Sequence, residues 1–191
     1  FNRQNLAVAF GLGVSLGYPA EAWATALGQA SLPPGRLQPV GASPATFVDY
    51  AHTPAALEAA LEATREATRG PLWVVFGCGG DRDRGKRPEM GRLAAKLADQ
   101  VVVTSDNPRS ERPDAIIDDI VSGMAGCEPH RDADRARAIT WALHQADVDD
   151  SVLIAGKGHE TTQTVGTEKR PFSDVEVAQA ALGSRDDQRL A

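Results

Sequence analysis

Cysteine is scarce in this chain. Its 191 residues hold two, Cys78 and Cys127, too few for a disulfide framework, and two reduced thiols in a cytoplasmic protein is the reading they support. Long apolar runs are missing too. No stretch reaches the ~20 residues that a membrane-spanning helix requires, and none is laid out as a signal peptide, so no membrane insertion is expected. Positive charge is in deficit: 20 Lys and Arg stand against 26 Asp and Glu, a formal net charge of −6, which argues against a broad electrostatic hold on nucleic acid. Internal repeats and low-complexity segments are absent. So is any Gly-x-x-Gly-Lys-[Ser/Thr] loop, which leaves nothing to cradle a triphosphate or fix magnesium. What is there is an ordinary globular composition, 42% hydrophobic and 24% charged, enough for a core of normal size in one full domain plus a piece of another, or in two small ones. The chain opens on Phe1 rather than methionine, and its first stretch reads as the tail of something larger, so a truncated sequence is expected.

Two helices open the chain, over Asn5 to Leu16 and Pro19 to about Gln29. A hairpin of that size cannot bury its apolar face alone. Leu32-Pro33-Pro34-Gly35 breaks the pattern, and Gly41-Ala42-Ser43-Pro44 reads as a linker. Strand and helix then alternate. Strands are expected at Thr46–Val48, Leu72–Phe76, Gln100–Val103, Glu128–His130 and Ser151–Ala155. Helices are expected from Pro54 to Thr68, Pro88 to Ala98, Pro113 onward with Ile116, Ile117, Ile120, Val121 and Met124, and Ala133 to Ala146. Thr161–Val165 reads as an edge strand in a hairpin with Arg170-Pro171-Phe172. Ser173-Asp174-Val175-Glu176 fits a capping box for a last helix that ends near Gly183, before a loose charged tail. This order predicts an α/β fold: a mostly parallel sheet with helices on both faces and right-handed crossovers.

Such crossovers bring the loops after Phe76, Thr104 and Ala155 to one rim, where open α/β sheets bind ligands. The first loop, Gly77 to Pro88, combines glycines with arginines; it fails the Gly-x-Gly-x-x-Gly spacing. The second is Thr104-Ser105-Asp106-Asn107-Pro108-Arg109, with a carboxylate, an amide, a fixed turn and a guanidinium. It suits a small zwitterion, with Arg109 gripping a carboxylate and Asp106 facing an ammonium, and it also suits a plain Asp-Asn-Pro turn. The third is Gly156-Lys157-Gly158-His159-Glu160. Convergence of the three favours a pocket for an amino acid. Upstream, Asp49-Tyr50-Ala51-His52-Thr53-Pro54 follows a strand and opens a helix. There Asp49 can accept from a ribose hydroxyl, His52 can stack on or bond to a base, and Thr53 reads as the N-cap.

These motifs, with Phe1-Asn2-Arg3-Gln4-Asn5 and Gly35-Arg36-Leu37, stand in the order found in the MurE family, the UDP-N-acetylmuramoyl-tripeptide synthetases of peptidoglycan synthesis. From Phe1 to about Gly183 the chain resembles the C-terminal part of that family. The resemblance implies that residues 1–43 end a central ATPase domain and that 44–191 form the Rossmann-like C-terminal amino-acid-binding domain of a Mur ligase. It implies meso-diaminopimelate contacts at Arg82, Asp106, Asn107, Pro108, Arg109, Gly156 and Glu160, and nucleotide contacts at Asn5, Arg36, Asp49 and His52. It assigns no catalytic residue and no metal ligand here.

The partners implied are ATP, Mg2+, meso-diaminopimelate and UDP-muramoyl-dipeptide. In the implied reaction ATP activates the muramoyl-dipeptide carboxylate as an acyl phosphate, which the amine of the new amino acid attacks. Members with Asp-Asn-Pro-Arg at the second loop take diaminopimelate, whereas lysine-using members differ there. The UDP-binding domain and most of the central domain are missing, so the chain alone is expected to release no phosphate from ATP and UDP-muramoyl-dipeptide. The alternatives are another Mur ligase or a folylpolyglutamate synthase, a nucleotide-dependent oxidoreductase, and a non-catalytic amino-acid-binding module.

Overall fold

The computed structural model describes residues 2–30 and 33–190, with side chains over 4–30 and 33–185. The chain divides into two compact units, Phe1–Pro33 and Pro34–Ala191, so the structural division falls earlier than the 43/44 boundary read from the sequence.

The first unit contains α1 (Asn2–Ser15) and α2 (Ala20–Gly28). Trp23 joins them: its indole donates to the Ala9 carbonyl at 3.0 Å, and its ring stacks on Tyr18. Leu6, Val8, Leu12 and Leu16 of α1 and the turn after it remain exposed, as expected of a helical pair too small to bury its own apolar surface.

The second unit carries a six-stranded sheet in the order β1-β2-β6-β3-β4-β5. Its strands are β1 (Gln38–Ala42), β2 (Ala45–Asp49), β3 (Leu72–Phe76), β4 (Gln100–Thr104), β5 (His130–Asp132) and β6 (Ser151–Ala155). β2 to β6 run parallel, and β1 alone is antiparallel. β3 and β6 are apolar at nearly every position and sit at the centre, buried throughout, as strands covered on both faces must be. Alternate residues feed two cores. Val74, Phe76, Val103 and Leu153 pack with Leu57, Leu61, Met90, Ile116 and Ile120 of α3 (Pro54–Ala67), α4 (Lys86–Leu97) and α5 (Pro113–Val121). Val75, Val102, Val152 and Ile154 pack with Ile139, Leu143 and Ala178 of α6 (Arg135–Gln145) and α7 (Asp174–Leu190). Helices therefore cover both faces, as the strand–helix alternation predicts. Thr53 caps α3, accepting from the Ala56 amide at 3.3 Å. A two-stranded hairpin, β7 (Thr162–Val165) and β8 (Glu168–Pro171), stands apart from the main sheet.

Three expectations are corrected. The segment read as a linker, Gly41–Pro44, is the end of β1 and its turn into β2. A proline and a glycine inside Gln38-Pro39-Val40-Gly41-Ala42 hid the strand, and both are tolerated because β1 is an edge strand whose pairing shifts register between Pro39 and Gly41. α5 stops at Val121, and Met124 is buried by the turn that follows. α7 does not stop at Gly183 but runs to Leu190; Arg185 anchors it by donating to the carbonyls of Leu143, at 2.8 Å, and Ala146. No helix among the described residues is long and apolar enough to cross a membrane.

Candidate functional site

The parallel strands end in register, Asp49 beside Ala155 and Ala155 beside Phe76, so the loops that follow share one rim. They enclose a cavity of about 400 Å3. Arg82, Asp106, Asn107, Arg109, Gly156, Glu160 and His52 line it, together with Tyr50, Thr53, Gly79, Asp83 and Lys86.

The first loop is fastened to the second by backbone contact. The Gly80 amide donates to the Asn107 carbonyl at 2.9 Å, and a Cβ at Gly80 would lie 1.9 Å from the Pro108 carbonyl oxygen, so only glycine fits there. Pro108 accordingly serves the loop through its backbone and is not among the residues lining the cavity. Behind this seam, fully buried Arg87 grips both oxygens of Glu111, at 2.8 and 3.0 Å, and donates to Asp119 at 2.8 Å. Glu111 also accepts from the Asp81 amide at 2.7 Å. The Arg87 bonds, then that amide, hold the Glu111 carboxyl down at about 2. A carboxyl lowered in the folded state stabilises the fold above its unfolded pKa and loses that contribution as pH falls toward the folded one. Replacement Glu111→Gln is therefore expected to flatten the loss of stability between about pH 4.5 and about pH 2, read from urea midpoints across that range. A slope equal to the parent's would show that the seam carries no proton linkage.

Arg109 takes a left-handed backbone, φ 51°, which an arginine adopts only where its surroundings impose it. Its amide donates to Thr164 O at 3.1 Å and its carbonyl accepts from Gly166 N at 2.7 Å, which ties the second loop to the β7–β8 hairpin. Its Nη1 donates to the Gly80 carbonyl at 2.8 Å.

The third loop turns through Gly156 and Gly158. Gly158 has φ 51°, and a Cβ on it would meet Tyr50 at 2.7 Å. Between them Lys157 is fully buried, with Nζ 2.9 Å from Glu160 Oε2, 3.2 Å from Asn107 Oδ1 and 3.8 Å from Asp106 Oδ1. Burial pushes the Asp106 carboxyl up, and Arg135 and Lys157 offset this only in part. Burial also acts to raise Glu160, but hydrogen bonds from Asn107 and Lys157 outweigh it and hold that carboxyl below its ordinary value. The cavity thus places Arg82, Arg109 and Lys86 among Asp83, Asp106 and Glu160 within one small volume.

The expected nucleotide contacts are placed less uniformly. Arg36 lies with its guanidinium 5.0 Å from the Tyr50 ring centroid, and Tyr50 meets the His52 ring edge-on. Asp49 is buried, and its two oxygens accept from the Leu37 and Ala51 amides, each at 2.8 Å. The expected ribose acceptor is here a clasp that fixes the neighbours of Arg36 and His52. Asn5 is an exposed residue of α1, in the other compact unit.

Sequence reading missed two site residues. Lys157 lies inside a motif it singled out, but nothing in the sequence signals that the lysine turns inward. Arg135 is fully buried behind the cavity, bonded to both oxygens of Asp174 and to the carbonyls of Ser105 and Ala155; in the sequence it is one charge among many at a helix start.

An open parallel sheet whose strand-end loops close around a charged cavity defines a doubly wound α/β ligand-binding domain. The chain belongs to the Mur ligase family: the family model described as "Mur ligase, glutamate ligase domain" matches residues 35–158. A UDP-N-acetylmuramoyl-L-alanyl-D-glutamate–2,6-diaminopimelate ligase of Gloeobacter violaceus is 53% identical over 189 residues, 97% of this chain and 39% of that protein. One of the same name from Alkalilimnicola ehrlichii is 50% identical over 188 residues, 97% of this chain and 38% of its own length. The chain thus spans about two fifths of the length of these relatives. A solved diaminopimelate ligase structure superposes with a TM-score of 0.77 at 39% identity, covering 97% of this chain and 39% of that one. A folylpolyglutamate synthase/dihydrofolate synthase of Yersinia pestis, solved with AMPPNP and Mn, shares the fold at TM-score 0.60 and 22% identity, over 87% of this chain and 34% of its own. Family membership sets aside the oxidoreductase reading.

Proposed function

We propose that this chain is the C-terminal part of an ATP-dependent, Mg2+-requiring cytoplasmic ligase that adds meso-diaminopimelate to UDP-N-acetylmuramoyl-L-alanyl-D-glutamate. Its own share is to receive the incoming amino acid. The observation that supports this is the cavity: guanidinium and carboxylate groups from three separate loops line one volume at the strand ends, the inventory that a zwitterion needs. In this reading Arg109 and Arg82 take carboxylates of the ligand, while Glu160 and Asp106 face its ammonium. The amine nitrogen attacks the acyl carbon of an activated muramoyl-dipeptide, the bond to phosphate breaks, and a proton leaves the nitrogen. Holding the amine in place and drying its surroundings is worth more than any single contact, because it converts a bimolecular encounter into a positioned one.

ATP enters this reading through Arg36 and His52, which both meet the Tyr50 ring and whose chain neighbours Leu37 and Ala51 are held by Asp49. Among the described residues no three His, Cys, Asp or Glu are grouped to hold a metal ion. Titration calorimetry of the 191-residue chain tests the proposal. meso-Diaminopimelate is expected to bind at least tenfold more tightly than lysine, the ratio that one extra charge-assisted contact supplies. Equal affinity for the two, or binding of neither, would overturn it.

A further inference from the structure

The structure contains several cations with almost no solvent exposure, and one of them differs from the others in its partners. Arg87, Arg135 and Arg185 each donate to backbone carbonyls: Gly79 for the first, Ser105 and Ala155 for the second, Leu143 and Ala146 for the third. Those bonds fasten pieces of the fold. Lys157 makes no such bond among the described residues. Its partners are three side chains, Asn107, Glu160 and Asp106, and all three line the cavity. A buried ammonium costs several kcal/mol unless it is paired, so its placement under these residues demands an account.

The geometry supplies one. Asn107 Oδ1 accepts from Lys157 and from the Thr164 amide, at 3.2 and 2.9 Å, which forces its amide nitrogen to face Glu160 Oε2, at 2.9 Å. Glu160 Oε2 is then occupied by Asn107 and Lys157 together, and Oε1 has no hydrogen-bond partner among the described residues. The charges fall into two groups. Arg135 is paired with Asp174, with which it shares two bonds of 2.8 Å. Lys157 is the cation that contacts both carboxylates of this wall, Asp106 and Glu160, while Arg135 also acts on Asp106 and Arg109 on Glu160 through charge alone.

We propose that Lys157 is a positioning residue: its buried ammonium orients Asn107 and Glu160 and offsets the negative charge of Asp106 and Glu160, so that Glu160 Oε1 is left to accept a ligand ammonium at this wall of the cavity. The proposal deepens the amino-acid-pocket reading and rests on it. It also accounts for the flanking glycines, since Gly158 fits against Tyr50 only without a side chain and lets the chain carry Lys157 inward.

The test compares the full chain with Lys157→Met and Lys157→Gln, the second keeping a hydrogen-bond donor without the charge. With Lys157 gone, Asp106 and Glu160 lose the cation between them, and the pair should hold a proton to higher pH than in the parent. Carboxyl carbon shifts, followed against pH in the ligand-free chain, are therefore expected to show the Asp106–Glu160 pair taking up a proton at higher pH in the variants than in the parent. Calorimetry in two buffers of different ionisation heat is expected to show meso-diaminopimelate binding at least tenfold more weakly to both variants, with more proton released on binding than the parent releases. Folded variants that bind within twofold of the parent, with the parent's proton release and carboxyl titration, would overturn the proposal. Unfolding of both variants would also overturn it, by making Lys157 a support of the fold. If the parent itself binds no diaminopimelate, the pocket reading fails, and the carboxyl shifts still decide whether Lys157 sets the charge of Asp106 and Glu160.

Discussion

Replacing Arg109 with alanine in the intact ligase is expected to abolish the preference for diaminopimelate over lysine. The two amino acids differ by one distal carboxylate, so the discriminating group must be a cation placed for that carboxylate and for nothing else the two share. In the proposed function Arg109 is that cation. Its Nη1 is committed to the Gly80 and Asn107 carbonyls, at 2.8 and 3.4 Å, while Nε and Nη2 have no partner among the described residues. Those two nitrogens lie along one edge of a planar group and match the spacing of a carboxylate. The strained backbone is held from both sides, by Thr164 and Gly166, so the head group enters the cavity already oriented. Truncating one partner of a buried charge pair costs about 2–5 kcal/mol, a selectivity change of roughly thirtyfold or more. Because the Arg109 backbone bonds do not depend on the side chain, the loop should persist in the variant. A competition assay with both amino acids measures the ratio, and an unchanged ratio would show that another group reads the carboxylate. Arg109→Lys should recover only part of it, since an ammonium offers a point charge where the guanidinium offers two parallel donors.

The second large effect is on stability. Arg135 and Asp174 are both fully buried, and each is the other's charge partner through two bonds of 2.8 Å. Arg135→Ala leaves Asp174 as a lone buried carboxylate and frees the carbonyls of Ser105 and Ala155 at the ends of β4 and β6. Breaking a buried pair on one side costs about 3–5 kcal/mol, whereas replacing both members with apolar groups of similar volume costs far less. Urea unfolding should therefore show a large drop for Arg135→Ala and a smaller one for Arg135→Met combined with Asp174→Leu. If the single variant lost less than about 1 kcal/mol, water rather than Arg135 would be satisfying Asp174.

What the sequence revealed follows from where its signals are strong. β3 and β6 were legible because a strand covered on both faces must be apolar at almost every position. The rim was legible because parallel strands separated by helices have only one way to present their following loops. β1 was not, since edge strands tolerate the residues that elsewhere mark turns, as Pro39 and Gly41 do here. The continuation of α7 past Gly183 was hidden for another reason: what holds it, Arg185 on the carbonyls of Leu143 and Ala146, is a contact between helices far apart in sequence. In the site, the convergence of three loops came from the order of strands and helices and the particular set Arg82, Asp106, Asn107, Arg109, Gly156 and Glu160 from the family resemblance, and these six line one cavity. Neither disclosed that Asp49 faces inward or that Lys157 is buried, because charge in a sequence carries no direction.

The two borders of the sheet bear on behaviour in concentrated solution. On one side lies β1, irregular where Pro39 has no amide hydrogen to offer; on the other lies β5, three residues long and composed of His130, Arg131 and Asp132. Neither offers the long, flat, apolar margin on which a foreign strand could add, so the β-rich centre of this unit is shielded from edge-to-edge polymerisation by its own periphery.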